Sequence, residues 1–161
     1  MKLRIEIGGS KAAVDAAMGK MASSALRRKI VESAASELQS MSERTFNSTR
    51  FRPTEWPELK ESTKKQKARL KLSSKPLQAH GTLKRSLSTS GILADDTSAS
   101  FDDGTEYGVY HQYGTRKMPA RPFVPVTGEF GSDATPTPAA LKNMVDVMED
   151  VLKAEIPDFV N

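Results

Sequence analysis

The chain has 161 residues, 37% of them hydrophobic and 27% charged, and it contains no cysteine. This suits one globular domain spanning residues 1–161, held by packing or assembly in a reducing compartment, and it excludes disulfide scaffolds, thiolate metal sites and cysteine nucleophiles. The formal net charge is +4, and no run approaches the roughly 18 uninterrupted apolar residues that cross a bilayer, so a soluble protein without a membrane partner is expected.

Met1-Lys2-Leu3-Arg4-Ile5-Glu6-Ile7 alternates apolar and charged side chains, which predicts a half-buried strand and not the apolar block of a secretion signal. After Gly8-Gly9 and a capping Ser10, the alanine- and methionine-rich run Ala12–Met21 predicts a short helix. From Ser24 to about Phe46, Leu26, Ile30, Ala34, Leu38 and Met41 recur in steps of three and four, the core stripe of a helix about 35 Å long. Pro53 and Pro57 then force an ordered turn region around Trp56, its expected anchor.

Leu59–Leu72 has the composition of a short basic helix, ended by Ser73-Ser74-Lys75-Pro76. Gly81 opens a turn of helix through Leu83, Ser86 and Leu87, which passes into a strand over Ser88–Leu93. Asp95-Asp96 is a turn, and Ser98–Phe101 is the partner strand of an antiparallel hairpin, closed by Asp102-Asp103-Gly104. Tyr107–Tyr113 fits either a strand or a single helical turn, because periodicity cannot choose over so few residues. In Met118–Val126, Pro119, Pro122 and Pro125 exclude a helix and leave an edge strand or an extended arm.

A loop over Gly128–Pro136 leads to Thr137 as N-cap and Pro138 in the first helical turn. The last helix has the apolar stripe Leu141, Met144, Val145, Met148, Val151, Leu152 and Ile156, and Pro157 stops it. The expected architecture is α+β, with long N-terminal and C-terminal helices packed on a small, mainly antiparallel β-sheet.

Charge is segregated: residues 1–43 carry +2, residues 44–85 carry +9 and residues 86–161 carry −7. Lys60, Lys64, Lys65, Lys67, Arg69, Lys71 and Lys75 crowd one segment opposed only by Glu61. Such a run is either a solvated lysine-rich face or a surface for DNA or an acidic partner. Sequence-specific readout of nucleic acid is disfavoured, because no Phe, Trp or Tyr lies between Trp56 and Phe101 to stack on bases. A +9 middle and a −7 end also suit head-to-tail contact between copies.

Catalytic chemistry finds little support. His80 and His111 lie far apart and share no ligand spacing, so neither a metal site nor a cofactor is expected. His111, beside Tyr110, Gln112 and Tyr113, reads as a hydrogen-bonding histidine before it reads as a general base. No nucleophile elbow or phosphate-binding loop is present, and the adjacent aspartates sit where aspartate caps turns.

Taken together, Phe46, the stretch Arg50–Trp56 with Leu59, Thr63 and Lys67, and then Pro76-Leu77, Gly81, Leu83 and Ser86 follow an ordered series. Tyr-Gly-Val-Tyr-His-Gln-Tyr-Gly over Tyr107–Gly114 and Pro-Ala-Arg-Pro-Phe over Pro119–Phe123 complete it. This succession resembles the phage virion morphogenesis family, the tail-completion proteins of Mu-like contractile-tailed phages. Three features depart from it: Gly108 replaces a usual alanine, Val124-Pro125 replaces a hydrophobic-glycine ending, and Lys64–Lys75 is unusually basic.

The resemblance implies a non-enzymatic virion protein, assembled in the host cytoplasm, that finishes the head-proximal end of the tail as a ring, a hexamer by the family's pattern. Its implied partners are further copies of itself, the tail tube, neck or head-completion proteins, and DNA passing the lumen without sequence preference. Tyr107, Tyr110, His111, Gln112, Arg121 and Phe123 are the expected subunit or partner contacts, with Arg121 and Phe123 alternatively pinning the arm to their own subunit. The seven basic residues from Lys60 to Lys75 are the expected surface for DNA or an acidic partner. A head-tail neck protein of the siphophage type, a basic nucleic-acid-binding domain and a small hydrolase using His111 are the rival readings.

Overall fold

Ser23 caps the longest helix: its hydroxyl accepts from the backbone N–H of Leu26, and α1 (Ser24–Arg44) follows. In this computed structural model the described residues are 2–6, 23–128 and 134–156. The helix expected over Ala12–Met21, and the stop at Pro157, lie outside them. The whole predicted stripe of α1, Leu26, Ile30, Ala34, Leu38 and Met41, is buried. A second buried row, Val31 and Ala35, packs on Ala99 of the sheet, so α1 is enclosed from two sides.

The strand β1 (Lys2–Glu6) pairs antiparallel with β3 (Ser98–Asp102), with Leu3 opposite Phe101 and Ile5 opposite Ala99. On the other edge of β3 lies β2 (Leu93–Ala94), giving the order β1-β3-β2. The expected hairpin is present, and Asp95 makes its turn by accepting from the backbone N–H groups of Thr97 and Ser98. Those bonds hold its carboxyl well below the ordinary carboxylate range. Of the predicted strand over Ser88–Leu93, only Leu93 is in a strand: Ser88 and Thr89 close α3 (Thr82–Thr89), which completes two turns on buried Leu83 and Leu87, and residues 90–92 are irregular.

The basic segment forms α2 (Glu61–Arg69). It ends where Leu72 N–H returns to the Lys67 carbonyl and Lys71 takes a left-handed conformation with φ 53°. Residues Gly108–Tyr113 form the short helix α4, which resolves the choice left open by periodicity. A Cβ at Gly108 would run into the carboxylate of buried Asp103, which accounts for the glycine at this position. At Gly114 the backbone turns at φ 77° and approaches Ala120 N so closely that a Cβ would lie 2.7 Å from it.

Beyond α4, residues 119–123 take no regular secondary structure and 124–125 bend, pairing with no strand among the described residues; β4 (Val126–Thr127) then forms a ladder with β5 (Thr135–Pro136). Thr137 then caps α5 (Pro138–Glu155), its hydroxyl accepting from Ala140 N–H. The apolar stripe of α5 keeps Met144 and Met148 of the predicted one but turns toward Ala140 and away from Leu141 and Val145. Ala140 and Met144 are buried against the core, whereas Leu141 and Val145 are 51% and 42% exposed. The Thr137 N–H bond to the Pro125 carbonyl fixes where the helix starts, and small Ala140 lets its near side sit close to α1.

The architecture is therefore α+β, with α1 and α5 packed together and α1 lying on the sheet. The core gathers Leu38, Met41, Phe46, Leu83, Leu87, Phe101, Phe123 and Val124. Gly108→Ala substitutes a residue better in helices by about 1 kcal/mol, yet it should lower the melting temperature because of the Asp103 overlap. Adding Asp103→Ala should leave the double variant less destabilised than the two single losses combined, a coupling of about 1 kcal/mol in a thermal-melt cycle.

Candidate assembly surface

The segment Arg121–Val126 carries the core of the most specific motif of the sequence, and its prolines deprive it of two N–H donors. Buried between α1, α4 and the Trp56 region, its remaining backbone groups need partners. Side chains supply most of them. Gln112 of α4 accepts from Phe123 N–H and Val124 N–H at 3.0 Å each and donates to the Val124 carbonyl at 3.1 Å. Trp56 Nε1 donates to the Pro122 carbonyl at 2.8 Å, and Thr45 Oγ1 donates to the Phe123 carbonyl at 2.9 Å. Arg121 N–H reaches the His111 carbonyl.

Within this lattice Phe123 has no exposure and packs on Phe46, ring centroids 5.9 Å apart, while Trp56 meets Phe46 edge-on. The guanidinium of Arg121, 7% exposed, forks onto the carbonyls of Pro57 and Glu58. Arg121, Phe123 and Gln112 thus fasten the arm to their own subunit; of the two roles expected for Arg121 and Phe123, the internal one describes their contacts. The reason is that a strand-like segment without a strand partner draws its hydrogen bonds from whatever polar side chains line its bed.

The remaining members of the predicted contact set face outward. Tyr110 is 55% exposed and Tyr107 is also exposed, both on α4 or its first turn. His111 stands between the two environments, its ring edge-on to Tyr107 at 5.7 Å, its Nδ1 buried without a hydrogen-bond partner. Burial and the positive charge of Arg121 push the His111 pKa down, opposed by Asp103.

The basic set divides in the same way. Lys60, Lys65, Arg69, Lys71 and Lys75 are exposed, with no ion pair to any described residue. Lys64 is bound by Glu58 and Glu61. Lys67 is buried, its Nζ donating to the Lys75 carbonyl at 2.7 Å, and so it departs from the expected outward face. The recurrence of Leu59, Thr63 and Lys67 at four-residue steps is the signal that marks this inward side of α2. Additional cations cover aromatic rings nearby: the Arg52 guanidinium sits 3.9 Å above Trp56, and Arg44 and Arg50 flank Phe51.

Among the described residues no three His, Asp or Glu side chains group to hold a metal ion, and no helix is long and apolar enough to cross a membrane. The phage virion morphogenesis family matches residues 10–153. The chain belongs to that family. Neither the curated proteins nor the solved structures compared with it give a match. Membership makes this a phage structural and assembly protein associated with the virion.

Two outcomes test the surface. Gln112→Leu keeps volume but strips Phe123 and Val124 of their side-chain partner; it should cost about 3 kcal/mol, read as a lower urea midpoint at unchanged slope. Because the folded state resists protonation of His111, the unfolded chain binds more protons as pH falls through about 6.5, and stability declines there. The melting temperature should drop between pH 7.5 and 5.5 in the native chain and drop less in His111→Gln. Asp95 titrates below that window and leaves the comparison clean.

Proposed function

We propose that the chain completes the head-proximal end of the phage tail as a ring of identical subunits, so that the tail can join the filled head. The observation that carries this reading is the family match over residues 10–153. The physical features agree with it. A closed ring needs a heterologous interface, one patch of each subunit fitting a different patch of the next. The +9 of residues 44–85 and the −7 of residues 86–161 supply opposite charges for such a pair of patches.

Exposed Tyr107 and Tyr110, held on a helix whose neighbour Gln112 is locked into the arm, are rigid aromatic anchors of the type that dominates interface energetics. The exposed cations Lys60, Lys65, Arg69, Lys71 and Lys75 then face DNA in the lumen, where phosphate contacts need no base readout.

The test is electron microscopy of lysates from the producing phage with an early stop codon in this gene. Filled heads should accumulate beside unattached or abnormally ended tails. Normally joined virions would remove the assembly role. Heads that lose their DNA, beside tails of normal length and ending, would assign the chain to the head-side neck instead.

A further inference from the structure

Between α2 and the loop at residues 70–76 lies a cavity of about 550 Å³ that is open to solvent along one side. Its walls are apolar at Leu59, Ala68, Leu72 and Pro76, polar at Ser74, cationic at Lys64 and Lys67, and anionic at Glu58, whose carboxylate is taken up by Lys64. Lys64 is the exposed rim, already engaged by Glu58 and Glu61. Lys67 is different: it is 8% exposed, and its ammonium group touches only a carbonyl, that of Lys75. Arg121, equally buried, also meets carbonyls alone. Two buried cations therefore stand near one another, and among the described residues neither is in an ion pair.

Burial and the Arg121 charge lower the proton affinity of Lys67, as expected of a cation without a counter-charge. Such an arrangement costs stability on its own, and an anion arriving from outside would offset the cost. The apolar walls favour a carboxylate carried between apolar side chains over a bare phosphate, and no aromatic wall is present to stack a base. The acidic third of this chain has such a stretch directly after α5, Ile156-Pro157-Asp158-Phe159-Val160.

We infer that the cavity is a socket for residues 156–160 of a second copy of this chain, with Lys67 receiving the carboxylate of Asp158 and the apolar walls receiving its neighbours. The choice of a second copy rests on the ring reading above. The contact is head-to-tail, from the negative end of one subunit to the basic middle of the next, and so propagates around a ring.

Two measurements on the full-length protein test it. In the first, a fluorescein-labelled peptide of residues 154–161 is titrated with the protein and followed by anisotropy. Saturable binding is expected, weakened by about tenfold or more when the peptide carries Asp158→Asn or the protein carries Lys67→Met. The Lys67→Met protein should melt no lower than the native chain, because the lysine is there for an external anion. Equal binding of the Asp158→Asn peptide, displacement of both peptides alike by millimolar inorganic phosphate, or a lower melting temperature for Lys67→Met would each overturn the socket. In the second, sedimentation velocity should show concentration-dependent self-association that Asp158→Asn reduces. Association unchanged by that substitution overturns the socket and leaves the ring standing; a chain monomeric at every concentration overturns the ring and the second-copy assignment together.

Discussion

A buried peptide segment with no strand beside it has to find a partner for every backbone group, and that requirement organises this protein. From Arg121 to Pro125 the chain runs through the interior without a strand partner among the described residues, and two of its five residues are unable to donate. The partners come from four distant places: Gln112 on α4, Trp56 in the proline turn, Thr45 at the end of α1, and the backbone of Thr137 at the start of α5. Each bond ties one element to the same strip of chain. Where α1 stops, how α4 is turned and where α5 begins are all set against it, and the aromatic cluster of Phe46, Trp56 and Phe123 fills the space these bonds enclose.

This explains which parts of the structure are legible in the residues and which are not. The stripe of α1, the Thr137 cap with Pro138 and the aspartate turn of the hairpin are local patterns whose causes lie within a few residues. Trp56 as the anchor of the proline turn is also readable, since a lone tryptophan between prolines has few other roles. The phase of α5 is not readable, because Leu141 and Val145 belong to its apolar stripe as naturally as Ala140 does, and only the tether to Pro125 decides between them. Nor can composition tell an outward Phe123 or Arg121 from an inward one. A phenylalanine and an arginine on a proline-stiffened arm suit a neighbouring subunit as well as their own, and the deciding carbonyls of Pro57 and Glu58 are more than sixty residues away. Lys67 was hidden for a related reason: a lysine among lysines gives no sign that it alone points inward, apart from its four-residue spacing from Leu59 and Thr63.

The charge distribution follows the same division between what closes the subunit and what is left for others. Arg52 covers Trp56 and donates to the Thr45 carbonyl, and Arg121 clamps the proline turn, so both cations are spent internally. Lys60, Lys65, Arg69, Lys71 and Lys75 remain outside, on and around a helix whose interior has little apolar content of its own. A helix this short and this polar gains little from burial. Its cations are available to a partner because the fold does not use them.

The pairing of β1 with β3 brings Lys2 opposite Asp102, and a bond between such distant parts of the chain has consequences in time. The ribosome releases β1 first and its partner only after more than ninety further residues, roughly 5–20 s later at bacterial rates of synthesis. Through that interval an alternating strand has no partner within its own chain, in a cell that is making many copies at once. Unpaired strand edges add to one another readily, and closing so long a loop is slow compared with the folding of the helices in between. Whether a newly made subunit reaches a virion or a β-rich aggregate is then decided by how quickly residues 98–102 arrive to cover it.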